Sequence, residues 1–276
     1  MLTEWFEQAG AIIGAIGTDE FAGTLSSSLK VIADFDFTVI FGYRGRARPL
    51  DLYDDFPKAK RRIMVEDYQE GPYMLDPFYL ACGDTIESNL YRMKDVAPDR
   101  FYQGEYFRSY YKRTGLAEEI CYLIDLSDGT FVCVSLMRAN RVFSAREFRD
   151  LRKAWPVVRE ACSLHWRDLA SRFGLDGEHS GSRGRENNVS HAFQTFDGGL
   201  LTPREKEVAE FTLKGHSAEA VGRILGITPG TVRIHRRNIY SKLRIRSQGE
   251  LFSRFIAALL GPGARAEKNQ RPGDSH

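Results

Sequence analysis

The spacing of apolar residues changes along the chain, and the changes mark where its parts begin and end. Trp5, Phe6, Ala9, Ile12, Ile13 and Ile16 recur at helical intervals until Gly17-Thr18-Asp19 break them. Phe21, Leu25, Leu29 and Ile32 resume that spacing, so residues 3–34 predict two helices. Residues 36–43, DFTVIFGY, are β-branched and aromatic and predict a strand, turned by residues 44–47 into a second strand over 49–53. A charged helix over 58–70 ends at Gly71-Pro72, and residues 84–97 read as irregular apart from a short strand near 89–93. Residues 99–114 predict one helix crowded with aromatic side chains and closed by Gly115. Strands over 117–126 and 130–138 flank the tight turn Ser127-Asp128-Gly129. Ser144 then caps an amphipathic helix that runs to about residue 173, with Pro156 as a candidate kink.

Residues 174–199 are polar and Gly-rich and predict a flexible linker. Helical spacing returns over 200–260, where each helix boundary is marked. Thr202, Pro203 and Glu205 make a capping box with proline at the first helical position. Gly215 ends that helix, Ser217 caps the next, Gly226 breaks the chain, and Thr228-Pro229 restart it. Ser247 and Glu250 cap a fourth. Val208, Phe211, Val221, Ile224, Leu225, Val232, Ile239, Leu243, Leu251, Phe255, Ile256 and Leu259 form one small core. The second and third helices meet at a tight turn, a helix-turn-helix arrangement. Residues 261–276 predict a disordered tail. The expected fold is α+β over 1–173, an α-β-α sandwich with an antiparallel sheet of the GAF/PAS-like kind. An all-α four-helix helix-turn-helix domain over 200–260 follows.

Charge changes the picture of that second part. Residues 201–260 hold 11 Lys and Arg against 5 Asp and Glu, a net of +6, while the whole chain carries only +2. On the third helix Val232, Ile239 and Leu243 face inward, so Gly230, Arg233, Ile234, Arg237 and Ser241 face outward. Arg233 and Arg237 share one stripe, and each guanidinium can bind guanine in the major groove or a phosphate. Thr231, His235, Arg236, Lys242 and Arg244 flank the stripe as candidates for phosphate. These residues predict binding to double-stranded DNA.

Composition excludes other classes. With 42% hydrophobic and 28% charged residues a packed core is expected, and no apolar run approaches the roughly 18 residues of a membrane span. No secretory signal opens the chain, so a cytoplasmic protein with reduced thiols is expected; Cys121 and Cys133 are the candidates for a redox pair. The six histidines lack metal-ligand spacing, and neither a nucleophile elbow nor a phosphate loop occurs. No metal, no cofactor and no enzyme activity are expected.

LTPRE at 201–205, Gly215, Ser217, LGITPGTVRIHRRNIYSKL at 225–243, Arg246-Ser247 and Glu250-Leu251 resemble the C-terminal DNA-binding domain of LuxR-type transcription regulators. Two positions depart from that pattern: Ala220 stands where the family has a charged residue, and Gly222 where it has alanine. Glycine there costs the helix roughly 1 kcal/mol. The resemblance implies a homodimer on an inverted-repeat operator, joined through helix 144–172 and the last helix, with RNA polymerase as a candidate partner.

The front part lacks the βα alternation of a phosphoacceptor receiver. It resembles the ligand-binding domain of the quorum-sensing branch of these regulators, through Asp76-Pro77, Tyr68, Tyr91, Gly115-Leu116 and Ser135-Leu136. In that family the aspartate accepts a hydrogen bond from the ligand amide, and tryptophans grip the lactone. Here Met64 sits near one such place, and no tryptophan occurs between Trp5 and Trp155. The residues themselves point to a different occupant. A pocket of Tyr68, Tyr73, Phe78, Tyr91, Tyr106 and Tyr110 with Asp76 and Glu119 favours a small cation or an amide or amine donor, such as an amine or amino-acid-derived metabolite. Three readings of the front domain stay open: this effector, an acyl-homoserine lactone, or a constitutive regulator whose front domain only dimerises. Asp76 also suits a plain helix N-cap.

Overall fold

The computed structural model describes residues 2–45, 47–82, 87–109, 111–173 and 196–259. The tail over 261–276, expected to be disordered, lies outside them. Helices α1 (Leu2–Gly14) and α2 (Phe21–Lys30) precede a five-stranded antiparallel sheet. Its strands are β1 (Phe37–Arg44), β2 (Leu50–Asp54), β3 (Asn89–Arg92), β4 (Glu118–Asp125) and β5 (Thr130–Arg138), in the order β2-β1-β5-β4-β3. The central strands are buried on both sides, so alternate residues serve two cores. Ile40, Ile120, Tyr122, Val132, Val134 and Leu136 pack under α1 and α2. Val39, Phe41, Tyr43, Cys121, Cys133 and Met137 face the opposite layer, which contains the candidate pocket.

Three helices of the front part differ from the expectation. The helix over 58–70 contains a π stretch, Arg62–Glu66, and Met64, Val65 and Tyr68 are buried in the core. The stretch 99–114 is not one helix. A 3₁₀ turn (Phe101–Gln103), extended Gly104, α3 (Glu105–Ser109) and a second 3₁₀ turn (Tyr111–Thr114) wrap its aromatics around the pocket. The long helix from Ser144 divides at Ala154 into α4 (Ala145–Lys153) and α5 (Trp155–His165), because Pro156 cannot donate the next hydrogen bond. Ser144 does cap α4: its hydroxyl accepts from Glu147 N at 3.2 Å, while Glu147 Oε1 holds the buried Arg138 at 2.6 Å.

Helices α6 (Pro203–Lys214), α7 (Ala218–Leu225), α8 (Pro229–Leu243) and α9 (Gln248–Leu259) form the C-terminal domain around Val208, Val221, Val232, Ile239, Leu243 and Phe255. Its caps are those the residue types announced. Thr202 and Glu205 bond reciprocally, at 3.3 and 2.8 Å, and Gly215 and Gly226 turn left-handed at φ 96° and 66°. Ile224 is 51% exposed rather than core. The domain also begins earlier than expected. Phe196 packs on Phe255, and fully buried Asp197 accepts from Leu201 N (2.6 Å) and Gly199 N (3.2 Å), so residues 196–199 belong to it rather than to the linker.

Gly222 carries a packing constraint that outweighs its low helix propensity. A Cβ there would lie 2.7 Å from Ile227 O in the turn between α7 and α8. Gly222→Ala should therefore lower the unfolding temperature, although alanine alone would favour the helix by about 1 kcal/mol. A thermal melt showing equal or higher stability would contradict this.

Candidate effector pocket and nucleic-acid interface

The pocket is built from the second face of the sheet. Antiparallel pairing sets Val39 beside Ser135 and Phe41 beside Cys133, while Glu119 pairs with Met137. The helical layer adds Met64, Tyr68, Asp76 and Phe78, and the broken 99–114 stretch adds Tyr106, Tyr111 and Thr114. Together they enclose a cavity of about 30 Å³, room for a water or two.

Its polar groups converge on two carboxyls. Asp76 Oδ2 accepts from Tyr68 OH at 2.8 Å, Asp76 Oδ1 from Phe78 N at 2.8 Å, and Tyr68 OH lies 2.7 Å from Tyr43 OH. Asp76 is thus both the N-cap of the short helix Pro77–Ala81 and a wall of the cavity. Burial pushes its pKa up to about 6, against the hydrogen bonds from Tyr68, Phe78 and Tyr79. Burial and then the charge of Asp76 push Glu119 to about 8, opposed by hydrogen bonds from Ser135 and Tyr111. Burial also holds Tyr43, Tyr68 and Tyr111 well above the usual tyrosine range, so their hydroxyls stay protonated donors. No Lys, Arg or His is among the lining residues.

Five of the expected pocket residues meet here: Tyr68, Asp76, Phe78, Tyr106 and Glu119. Tyr73 does not, because it packs edge-on against Tyr79 (5.1 Å, 87°) one layer behind Tyr68. Tyr91 stands on edge strand β3 and turns its hydroxyl outward to Glu87 O at 2.8 Å, away from the cavity. Tyr110 lies outside the described residues. Tyr43 and Tyr111 were missed; strict alternation from Val39 would have placed Tyr43 on the pocket face, whereas Tyr111 depends on the break at Gly104. Cys133 neighbours both Cys121, its expected partner, and Cys82. Cys133 Sγ lies 3.4 Å from Cys82 Sγ, all four thiols are free and buried, and burial raises the pKa values of Cys121 and Cys133.

Helix α8 sorts its basic residues in two. Arg233, Ile234 and Arg237 are exposed, and Arg233 Nη2 reaches Glu219 Oε1 at 2.8 Å across open solvent. Arg236 instead turns inward: its Nε donates to Thr212 Oγ1 and its Nη2 to His216 O, both at 3.0 Å. Residues 232, 236, 239 and 243 form one stripe at helical spacing, so Arg236 falls on the core side. Lys242 Nζ sits 2.6 Å from Glu205 Oε2, which ties α8 to the cap of α6. His235 is half-buried, its Nδ1 shielded and without a hydrogen-bond partner, and Thr231 Oγ1 lies 2.9 Å from Thr228 Oγ1. Arg236 and Lys242 thus hold partners within the domain, with the Lys242 side chain still 39% exposed.

Comparison with known proteins fits this arrangement. Residues 199–255 match the family of bacterial regulatory proteins, luxR family. A putative HTH-type transcriptional regulator of Aeromonas salmonicida, from the exeN 3' region, is 30% identical over 187 residues, covering 67% of this chain and 95% of that protein. The chain belongs to the LuxR family of transcription regulators. The regulator is also 39% identical over 56 residues to the Escherichia coli transcriptional regulatory protein UhpA, covering 20% of this chain and 29% of UhpA. Its front part shares the fold of the ligand-binding domain of VqsR from Pseudomonas aeruginosa, with a TM-score of 0.52 and 23% identity over 59% of this chain and 96% of that structure. Among the described residues no helix is long and apolar enough to cross a membrane.

The raised carboxyl sets a pH dependence. Glu119 has an ordinary pKa of 4.5 and a folded value of about 8, so between them the folded chain binds the extra proton and stability falls as pH rises. Asp76 acts in the same direction between 3.8 and about 6. The unfolding temperature of the effector-free chain should drop from pH 6.5 to 8.5, and Glu119→Gln should flatten that drop. A wild-type profile with no fall over this range would contradict the buried, neutral Glu119.

Proposed function

We propose that the regulator binds a small cationic metabolite, an amine or amino-acid derivative, in the front cavity, and that occupancy controls operator binding by the C-terminal domain. One observation carries the reading: two buried carboxyls share a tyrosine-lined cavity with no basic side chain among its lining residues. An ammonium group would supply the missing charge, accept the field of the ring faces, and allow Glu119 to ionise. Asp76 and Tyr68 would fix its orientation, with Ser135 and Tyr111 steering Glu119. At about 30 Å³ the cavity admits an ammonium group as it stands and would have to widen for the rest of the metabolite. A long acyl chain would need the wall to move. The acyl-homoserine lactone reading keeps one point in its favour, since Asp76 could accept an amide N–H equally well. A front domain that only dimerises leaves the two carboxyls without a purpose.

At the operator, Ile234 and Arg237 are exposed to meet base edges, Ile234 suited to a thymine methyl and Arg237 to guanine, while Arg233 would exchange its ion pair with Glu219 for a base or phosphate. Thr231 and His235 stand beside the nearest phosphates. The regulator would act as a homodimer on an inverted repeat, matching a two-fold protein to a two-fold site.

Titration calorimetry of the full chain against primary amines should show saturable binding that weakens at least tenfold in Asp76→Asn and in Glu119→Gln. Binding of long-chain lactones alone, unchanged in Asp76→Asn, would overturn the amine reading. On DNA, Arg237→Ala should cost about 1–3 kcal/mol of operator affinity and relax sequence preference. Arg236→Ala should instead lower the unfolding temperature. Equal losses of sequence preference in both variants would show that α8 is oriented otherwise.

A further inference from the structure

The C-terminal domain has one cap that it does not supply itself. In α6 the N-cap Thr202 and the N3 residue Glu205 satisfy one another, with Thr202 N donating to Glu205 Oε2 at 2.8 Å. Helix α7 has the N-cap Ser217, whose hydroxyl accepts from Ala220 N at 3.0 Å. Its N3 residue is Ala220, which has no carboxylate to return the bond to the N-cap amide. That amide is not left empty. Ser217 N donates to Oδ1 of Asp99, in the front domain, at 3.0 Å.

The neighbouring residue completes the junction from the other side. Arg100 N donates to Gly215 O at 3.0 Å, filling a carbonyl at the C-terminus of α6 that the helix cannot satisfy. Two consecutive residues of the front domain therefore cap the end of α6 and the start of α7 together. The fit is backbone to backbone: a Cβ on Gly215 would stand 3.0 Å from Phe101 Cα. Phe101 is buried and meets Tyr106 at 5.8 Å and Tyr111 at 6.3 Å, the two rings that also wall the cavity. Throughout this contact Arg233, Ile234 and Arg237 remain exposed, so the junction orients α8 without covering it.

We propose that residues 99–101 are an intramolecular latch: Asp99 completes the capping box of the helix-turn-helix in place of an N3 carboxylate, and this holds the DNA-binding domain in one orientation on the front domain. Release of the latch frays the first turn of α7 and frees the DNA-binding domain to reorient relative to the front domain. Transmission from the cavity through Tyr106, Tyr111 and Phe101 rests on the effector reading above, but the latch itself does not. It is therefore tested without any effector.

Hydrogen exchange read by mass spectrometry on the full chain provides the test, comparing wild type with Asp99→Ala and Asp99→Asn. Loss of one charge-assisted bond should speed exchange over residues 217–221 about tenfold in Asp99→Ala. Residues 100–104 should lose protection in parallel, while 118–138 in the sheet stay unchanged. Asp99→Asn keeps an acceptor oxygen without the charge and should fall between the two. Unchanged exchange over 217–221 in Asp99→Ala would overturn the proposal. So would a change confined to 217–221 with 100–104 still protected, which would make Asp99 a cap and not a latch.

Discussion

Burying Asp76 and Glu119 in one cavity, without a cation on its wall, is the constraint around which the front domain is arranged. An isolated buried carboxylate is costly, and two in one cavity are more so. The chain meets the cost in two ways. Asp76 is hydrogen-bonded by Tyr68 and by the backbone of the helix it caps, which keeps it close to ionised at neutral pH. Glu119 remains neutral through burial and the neighbouring charge. Tyr68, from the helix over 58–70, and Tyr111, from the broken stretch, both reach these two groups.

The same broken stretch links the front domain to the C-terminal one. Its first residues dock on Gly215 and Ser217, and its later rings face the cavity. The core is therefore continuous from the sheet through Phe101 to Val208 and Phe255, rather than two cores joined by a tether. A change of shape at Tyr106 or Tyr111 has a packed path to the helix-turn-helix, and interior packing transmits small shifts because it has few voids to absorb them.

Much of this was legible in the residues, and the failures have physical causes. Capping residues such as Thr202, Glu205 and Ser144 act on their own helices, so local chemistry was enough to place them. Asp76 and Tyr68 were legible through the resemblance to the ligand-binding domain, and Asp76 also as an N-cap before a proline. Tyr73 and Tyr91 were not, because burial type does not say which layer a ring enters or which way an edge strand turns it. The inward bonds of Arg236 follow from its place in the stripe with Val232 and Ile239, which its charge alone does not announce. Asp99 was invisible, since its partner lies 118 residues away in the other domain.

The central claim is that the two carboxyls await a cation, and proton counting tests it most directly. Titration of the full chain with a primary amine at pH 7, repeated in buffers of different ionisation enthalpy, measures the protons exchanged on binding. If Glu119 is neutral when the cavity is empty and ionised beside an ammonium group, binding releases about one proton, and the observed enthalpy changes with the buffer accordingly. An enthalpy independent of buffer, with tighter binding of the uncharged N-acetyl counterpart, would contradict the account.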